Sequence, residues 1–250
     1  MAPLPGFEAS DRLRAKFDQI WCLMKIGLLI PGHAPEEVRA KLGDYADMYE
    51  RLLAGYGFDF ARWSVVENVF PAGPEEADGW LIGGSRHGVY EDHAWIPPLE
   101  ALIRDIVAAD RPLVGICFGH QIIAKALGGR VEKYQGGWAL GPTEYDFSGT
   151  PLTLNAWHQD QVVALPEGAE VIATNDFCRY AGIRIGDKTL SVQPHPEYDA
   201  EMMRGLFDFR AETAGVPMAQ VDEARARLGQ SLDAVAMADR IAAFFKREAV

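Results

Sequence analysis

The segment that most constrains this chain is the passage from an unbroken apolar run, Leu113-Val114-Gly115-Ile116, into a helical pattern, Gln121-Ile122-Ile123-Ala124-Lys125-Ala126-Leu127. The first reads as a buried strand and the second as a helix, so Cys117, within Gly115-Ile116-Cys117-Phe118-Gly119, falls on the sharp turn between them. Such a turn closes only if neighbouring backbone can come very near. Glycine at 115 and 119 removes the side chains that would block it, and the thiol is left standing above the sheet. There it meets the first free N–H groups of the helix, whose partial positive charge favours thiolate over thiol.

Further along lies Gln193-Pro194-His195-Pro196-Glu197. In an extended strand residues i and i+2 point to one side, so His195 and Glu197 are expected to line up, with Pro196 stiffening the link. Glu197 then holds one imidazole nitrogen and leaves the other for Cys117. Nucleophile, base and orienting carboxylate are thus all present. Cys22 and Cys178 lack such a setting and read as inert core thiols.

Strand-like runs at Lys25–Ile30, Phe60–Val66, Gly79–Ile82 and Leu113–Ile116 alternate with helical patterns, the signature of a parallel sheet wrapped by helices. Tyr45, Met48, Tyr49, Leu52 and Leu53 recur at helical spacing within Asp44–Ala54, as do Leu99, Leu102, Ile103 and Ile106 after Pro97-Pro98. These stripes read as core. Between Arg130 and Val192, turns at Gly136-Gly137, Gly149-Thr150-Pro151 and Gly186-Asp187 predict antiparallel hairpins added to the sheet. The tail from Asp199 reads as helical, with Val235, Ala238, Ile241 and Phe245 on one apolar stripe and Gly229 separating two helices. In open sheets of this kind ligands bind beyond the carboxyl ends of the strands, so the turns after Ile82 and Ile116 should share one rim.

These residues resemble the class I glutamine amidotransferase family, whose elbow reads Gly-x-Cys-x-Gly and whose second motif reads His-Pro-Glu. The likeness runs from Lys25 to about Leu206. It implies a flavodoxin-like α/β fold, a mostly parallel open sheet flanked by helices, and hydrolysis of a γ-glutamyl amide through a glutamyl thioester. It assigns Cys117 as nucleophile, His195 as general base and then acid, and Glu197 as orienting carboxylate. An oxyanion hole is implied at the N–H of Phe118 and at Gly84, in Trp80-Leu81-Ile82-Gly83-Gly84-Ser85. Such donors contribute about 3–4 kcal/mol each. Gly83, Gln121 and His158 fall where the family lines its substrate pocket. For Gln121 a solvated helix position is an equal alternative, and His158, in Trp157-His158-Gln159-Asp160, reads as pocket wall because His195 already has its carboxylate. Where many members follow the Gly pair with Pro, this chain has Ser85-Arg86-His87. That departure, with Gly43-Asp44-Tyr45, Met48-Tyr49-Glu50-Arg51 and Cys117-Phe118-Gly119-His120-Gln121, resembles the γ-glutamyl peptide hydrolase subgroup.

The chain of 250 residues is expected to form an N-terminal extension, 1–23, and a single domain, 24–250, that includes the helical tail. A formal charge of −12 argues against nucleic acid or an anionic membrane as partner. Three scattered cysteines give no disulfide framework, and no apolar run is long enough to cross a bilayer, so the cytoplasm is the expected location. No phosphate loop or dinucleotide fingerprint appears, and no cofactor is expected. The six histidines show no metal-ligand spacing, and His87 and His93 read as solvated residues of a polar loop. The partner is then a small molecule, glutamine or a γ-glutamyl peptide. A separate synthase subunit receiving ammonia is what amidotransferase chemistry would add. Two competing readings, a redox sensor built on the elbow cysteine and a silent binding module on the same fold, are disfavoured by the aligned His and Glu.

Overall fold

Along the central strands, successive side chains go to opposite faces, and both faces are dry. Leu28, Leu81, Val114 and Ile116 join one buried cluster, whereas Leu29, Trp80, Ile82 and Leu113 join another. A sheet buried on both sides needs helices on both sides. The computed structural model describes residues 23–248 and has that arrangement.

The main sheet takes β1 (Met24–Leu29), β2 (Phe58–Trp63), β3 (Gly79–Ile82), β4 (Leu113–Ile116), β9 (Ala169–Ala173), β10 (Gly182–Ile185) and β11 (Thr189–Val192) in the order β2-β1-β3-β4-β11-β10-β9. The pairs from β2 through β4 to β11 are parallel, and β11-β10-β9 is antiparallel. The chain therefore folds as the expected α/β sheet with antiparallel additions. The hairpin expectation needs one correction. Only β9 and β10 extend the sheet; β5 (Arg130–Lys133) pairs with β8 (Asp160–Ala164), and β6 (Ala139–Phe147) with β7 (Thr150–His158), as separate two-stranded ribbons. The β6–β7 turn closes through Ser148 and Gly149, both at positive φ, the conformation that tight hairpins demand.

Helices α1 (Glu36–Leu42), α2 (Tyr45–Leu52), α5 (Ala200–Phe209), α6 (Met218–Ala226) and α7 (Ala234–Phe245) cover one side, and α3 (Ile96–Ala108) and α4 (Phe118–Ala126) the other. Helix α2 is fixed at its start by a capping box. Asp44 accepts the Tyr45 N–H at 2.8 Å, and Asp47 accepts the Asp44 N–H at 2.7 Å. The other oxygen of Asp44 meets His33 Nδ1 at 2.6 Å, which ties the helix start to the loop after β1. On α7 the apolar stripe is displaced from expectation. Val235 is 72% exposed in the first turn, and burial begins at Met237 and Ala238 and continues through Ile241 and Phe245. In the N-terminal extension, Leu13, Phe17, Ile20 and Trp21 recur at helical spacing, but they and Cys22 lie outside the described residues. Among the described residues no helix is long and apolar enough to cross a membrane.

Candidate active site

Cys117 links β4 to α4 with φ 55° and ψ −105°, a conformation that costs a non-glycine residue on the order of 1–3 kcal/mol. The surroundings hold it there. Its N–H donates to the Val192 carbonyl at 2.9 Å, and its carbonyl accepts the Gln121 N–H at 3.1 Å. A β-carbon at Gly119 would lie 2.0 Å from the Ile82 carbonyl oxygen, and one at Gly115 would lie 2.6 Å from the backbone of Gly119. The two glycines thus let α4 start directly against β3 and β4.

His195 is delivered from the loop after β11. The His-Pro-Glu step is a turn, not the extended strand expected, because Pro196 at its fixed φ suits a turn centre and the Tyr198 N–H folds back towards the His195 carbonyl. The turn still joins the two side chains, with His195 Nδ1 2.6 Å from Glu197 Oε1. Three further contacts immobilise the imidazole. The His195 N–H donates to the Asn155 carbonyl at 2.8 Å, Asn155 Nδ2 donates to the Tyr198 carbonyl at 2.8 Å, and the Tyr198 ring stacks on the imidazole at 3.9 Å between centroids. Nε2 has no hydrogen-bond partner among the described residues, and the ring lines a cavity of about 270 Å³ together with Cys117. Burial lowers the affinity of this imidazole for a proton. The negative charges that Glu197 and Cys117 can carry outweigh burial and push its pKa up.

The Gly83-Gly84-Ser85 loop and the elbow do share one rim. A β-carbon at Gly84 would stand 3.1 Å from His195 Cε1 and 4.0 Å from Cys117 Cβ. The Gly84 N–H, however, is occupied: it donates to the Tyr49 hydroxyl at 2.9 Å, and that hydroxyl donates to Glu197 Oε1 at 3.2 Å. Gly83 stands behind the cavity wall against the Tyr49 ring, and its carbonyl accepts the Gly119 N–H at 3.1 Å, bracing loop to elbow. Phe118 and Ser85 do line the cavity. Phe118, first residue of α4, has a backbone N–H with no acceptor inside the helix.

Gln121 is buried rather than solvated. Its Nε2 donates to the Asp160 carbonyl at 2.9 Å and to Gln193 Oε1 at 3.1 Å, so its place on the wall is fixed. His158 is also wall. Burial lowers its pKa to about 3, and Nδ1 faces the Asp160 carbonyl at 3.3 Å, so the ring is neutral at pH 7. Sequence reading places Tyr49 on a core stripe and gives no role to Tyr198, Arg86 or Arg210. Nothing in a 3.6-residue period distinguishes a tyrosine that fills space from one whose hydroxyl joins two parts of a site.

The polar loop after Ser85 departs from expectation. His87, Glu91 and His93 have ligand atoms within 4.8 Å of one another, with His93 Nε2 2.7 Å and His87 Nδ1 3.2 Å from Glu91 Oε2. Their sequence spacing conceals this because the loop folds back and brings His87 edge-on to His93. Among the described residues they form the set whose donors stand close enough to hold a metal ion.

Residues 45–210 match the glutamine amidotransferase class-I family. Gamma-glutamyl peptidase 4 of Arabidopsis thaliana is 31% identical over 189 residues, which cover 69% of this chain and 75% of that protein. The glutamine-hydrolyzing GMP synthase subunit of Archaeoglobus fulgidus is 34% identical over 181 residues, covering 66% of this chain and 93% of that protein. Among solved structures, a glutamine amidotransferase from Methylobacillus flagellatus superposes with a TM-score of 0.68 at 25% identity, covering 90% of this chain and 93% of that one.

Proposed function

We propose that this chain, which belongs to the class I glutamine amidotransferase family, hydrolyses γ-glutamyl amide bonds through a glutamyl thioester on Cys117. The observation that carries the reading is the convergence, in one cavity, of a strained elbow cysteine and an imidazole held by a buried carboxylate at 2.6 Å. The Cys117 thiol gives its proton to His195 Nε2 as its sulfur attacks the γ-carbonyl carbon, and the C=O electron pair moves to oxygen. As the tetrahedral intermediate collapses, the C–N bond breaks and His195 Nε2 gives its proton to the departing nitrogen, which leaves as a neutral amine or as ammonia. Water then attacks the thioester, His195 takes its proton, the C–S bond breaks, and glutamate leaves. Glu197 stabilises the imidazolium each time it forms.

For the oxyanion, the Phe118 N–H supplies one donor from the start of α4. Gly84 supplies the second after exchanging the Tyr49 hydroxyl for the developing charge, so Tyr49 holds the loop until substrate arrives. Gln121 and His158 form the wall against the glutamyl group. The similarity to γ-glutamyl peptidases supports a stand-alone hydrolase, and the similarity to the glutamine-hydrolyzing part of GMP synthase supports a second reading, in which a separate synthase receives ammonia. Purified protein incubated separately with glutamine and a γ-glutamyl dipeptide, with glutamate and ammonia followed over time, tests both. Peptide cleavage without a partner is the expected result. Ammonia from glutamine with no peptide cleavage favours the synthase reading, and no glutamate from either substrate refutes the proposal.

A further inference from the structure

Beside the cavity that holds Cys117 lies a second, of about 380 Å³, which the catalytic residues do not line. It runs between the loop after β1, at Gly32 and His33, and the end of α5, at Phe209. The two cavities share one wall: Tyr45, Arg86, His87 and Arg210 line both. The second cavity therefore adjoins, through this wall, the one that holds Cys117. Glutamine does not need it, because its leaving group is ammonia. A γ-glutamyl peptide does, because its leaving group is an amino acid or peptide with a side chain and a carboxylate of its own.

The charges on the shared wall identify the group that fits. The chain carries 36 acidic against 24 basic residues, so carboxylates are in surplus, and Arg39, Arg62, Arg111, Arg225 and Arg247 each face one. Among the described residues Arg86, which is exposed, and the half-buried Arg210 have no such ion pair, a lack they share with Arg51, Arg104 and Arg227 among others; what sets these two apart is that they line both cavities. Among the described residues their side-chain hydrogen bonds go to His87 Nε2 and to Thr213 Oγ1, both at 3.4 Å, which is weak. The charge of Arg86 also acts on Arg210. Arg210 has its pKa lowered, first by burial and then by the charge of Arg86. Two cations on one cavity wall, neither with an ion-pair partner among the described residues, favour a bound anion, and a carboxylate matches the planar guanidinium fork.

We infer that Arg86 and Arg210, on the wall between the two cavities, form the receptor for the carboxylate of the departing amino acid or peptide, which makes a γ-glutamyl peptide with a free carboxylate the preferred substrate. The inference rests on the γ-glutamyl hydrolase reading above and specifies its leaving group. The glutamyl group itself lies on the other side of Cys117. There Gln121, Lys133, His158 and Asp160 line the first cavity alone and offer both a cation and acceptors to its α-carboxylate and α-amino groups.

The test compares one γ-glutamyl dipeptide with its C-terminal amide, which differs only in the departing carboxylate. Wild-type protein is expected to cleave the acid with kcat/KM about tenfold to a hundredfold above the amide, the span of charged hydrogen bonds. Arg86→Gln/Arg210→Gln should bring the acid down to the level of the amide, mainly through KM, and Arg86→Lys/Arg210→Lys should restore part of the preference. Calorimetry on Cys117→Ala with the same two peptides reads the preference without turnover, so it remains informative if the hydrolase reading itself fails. Tighter binding of the acid supports the inference. Equal affinities, equal cleavage of acid and amide by wild type, or a Gln double variant that depresses both substrates alike would each overturn it, the last by placing the arginines on the glutamyl group.

Discussion

The Tyr49 hydroxyl accepts the Gly84 N–H at 2.9 Å while donating to Glu197 Oε1 at 3.2 Å, and the same oxygen receives His195 Nδ1 at 2.6 Å. One side chain from α2 thereby couples the loop proposed to bind the oxyanion to the carboxylate that holds the His195 imidazole. Tyr49 is fully buried, so no solvent substitutes for its hydroxyl.

Tyr49→Phe should therefore affect chemistry more than binding. It leaves the Gly84 N–H and one lone pair of Glu197 unsatisfied, a destabilisation of about 1–3 kcal/mol. A fall in kcat of tenfold or more, with KM within about threefold, is expected if removing the hydroxyl misplaces both the loop and the imidazole. Steady-state kinetics with thermal unfolding checks this, and an unchanged kcat would show that the bond is only structural.

Much of this site is legible in the sequence, and the limits are physical. The elbow can be read because only glycine fits at 115 and 119, where any side chain would collide with backbone. The parallel strands can be read because burial on both faces leaves continuous apolar runs. Glu197 meets His195 at 2.6 Å although the backbone between them turns, so the pairing can be read from the motif while its extended backbone cannot. The occupant of the Gly84 N–H, and the placing of Arg86 and Arg210 on one cavity wall, depend on residues far apart in the chain. No local pattern encodes them.

Gly119→Ala offers a direct check on the elbow. Its methyl would stand 2.0 Å from the Ile82 carbonyl, both on rigid backbone, so either β3 or α4 must move. A loss of about 1–3 kcal/mol or more is expected, together with loss of activity. Gly73→Ala is the control. Gly73 has extended backbone with nothing near its added carbon, and its stability should stay within about 0.5 kcal/mol of wild type. Chemical denaturation of the two variants separates a steric account from a general dislike of glycine replacement.

Cys117 should react with iodoacetamide at neutral pH far faster than Cys178. Cys117 lines the cavity beside the start of α4 and near His195, whereas Cys178 is 1% exposed and burial raises its pKa to about 12. Brief labelling followed by peptide mapping reads the ratio. Equal modification would remove the case for an activated thiol.

Acid should destabilise the fold through its buried neutral histidines. Burial lowers His120 to about 4 and His158 to about 3, below the ordinary value of 6.5. Below pH 6.5 the unfolded chain binds protons that the folded chain refuses, so their contribution is complete above 6.5 and lost as pH falls through 4 and 3. The slope approaches about 1.4 kcal/mol per pH unit for each histidine. His120→Gln should flatten the stability profile between pH 6 and 4 relative to wild type. A parallel profile would show that His120 does not report this linkage.

The central claim is a glutamyl group carried on Cys117. Wild-type protein mixed with a γ-glutamyl peptide, quenched in acid within the first turnovers and digested, should yield the Cys117 peptide heavier by one glutamyl residue in mass spectra. The adduct should be labile to hydroxylamine, as thioesters are. In His195→Ala its formation should slow on the order of a thousandfold, and in Cys117→Ala both adduct and turnover should vanish. Glutamate release at the wild-type rate from Cys117→Ala, or an adduct formed on another residue, would contradict the account.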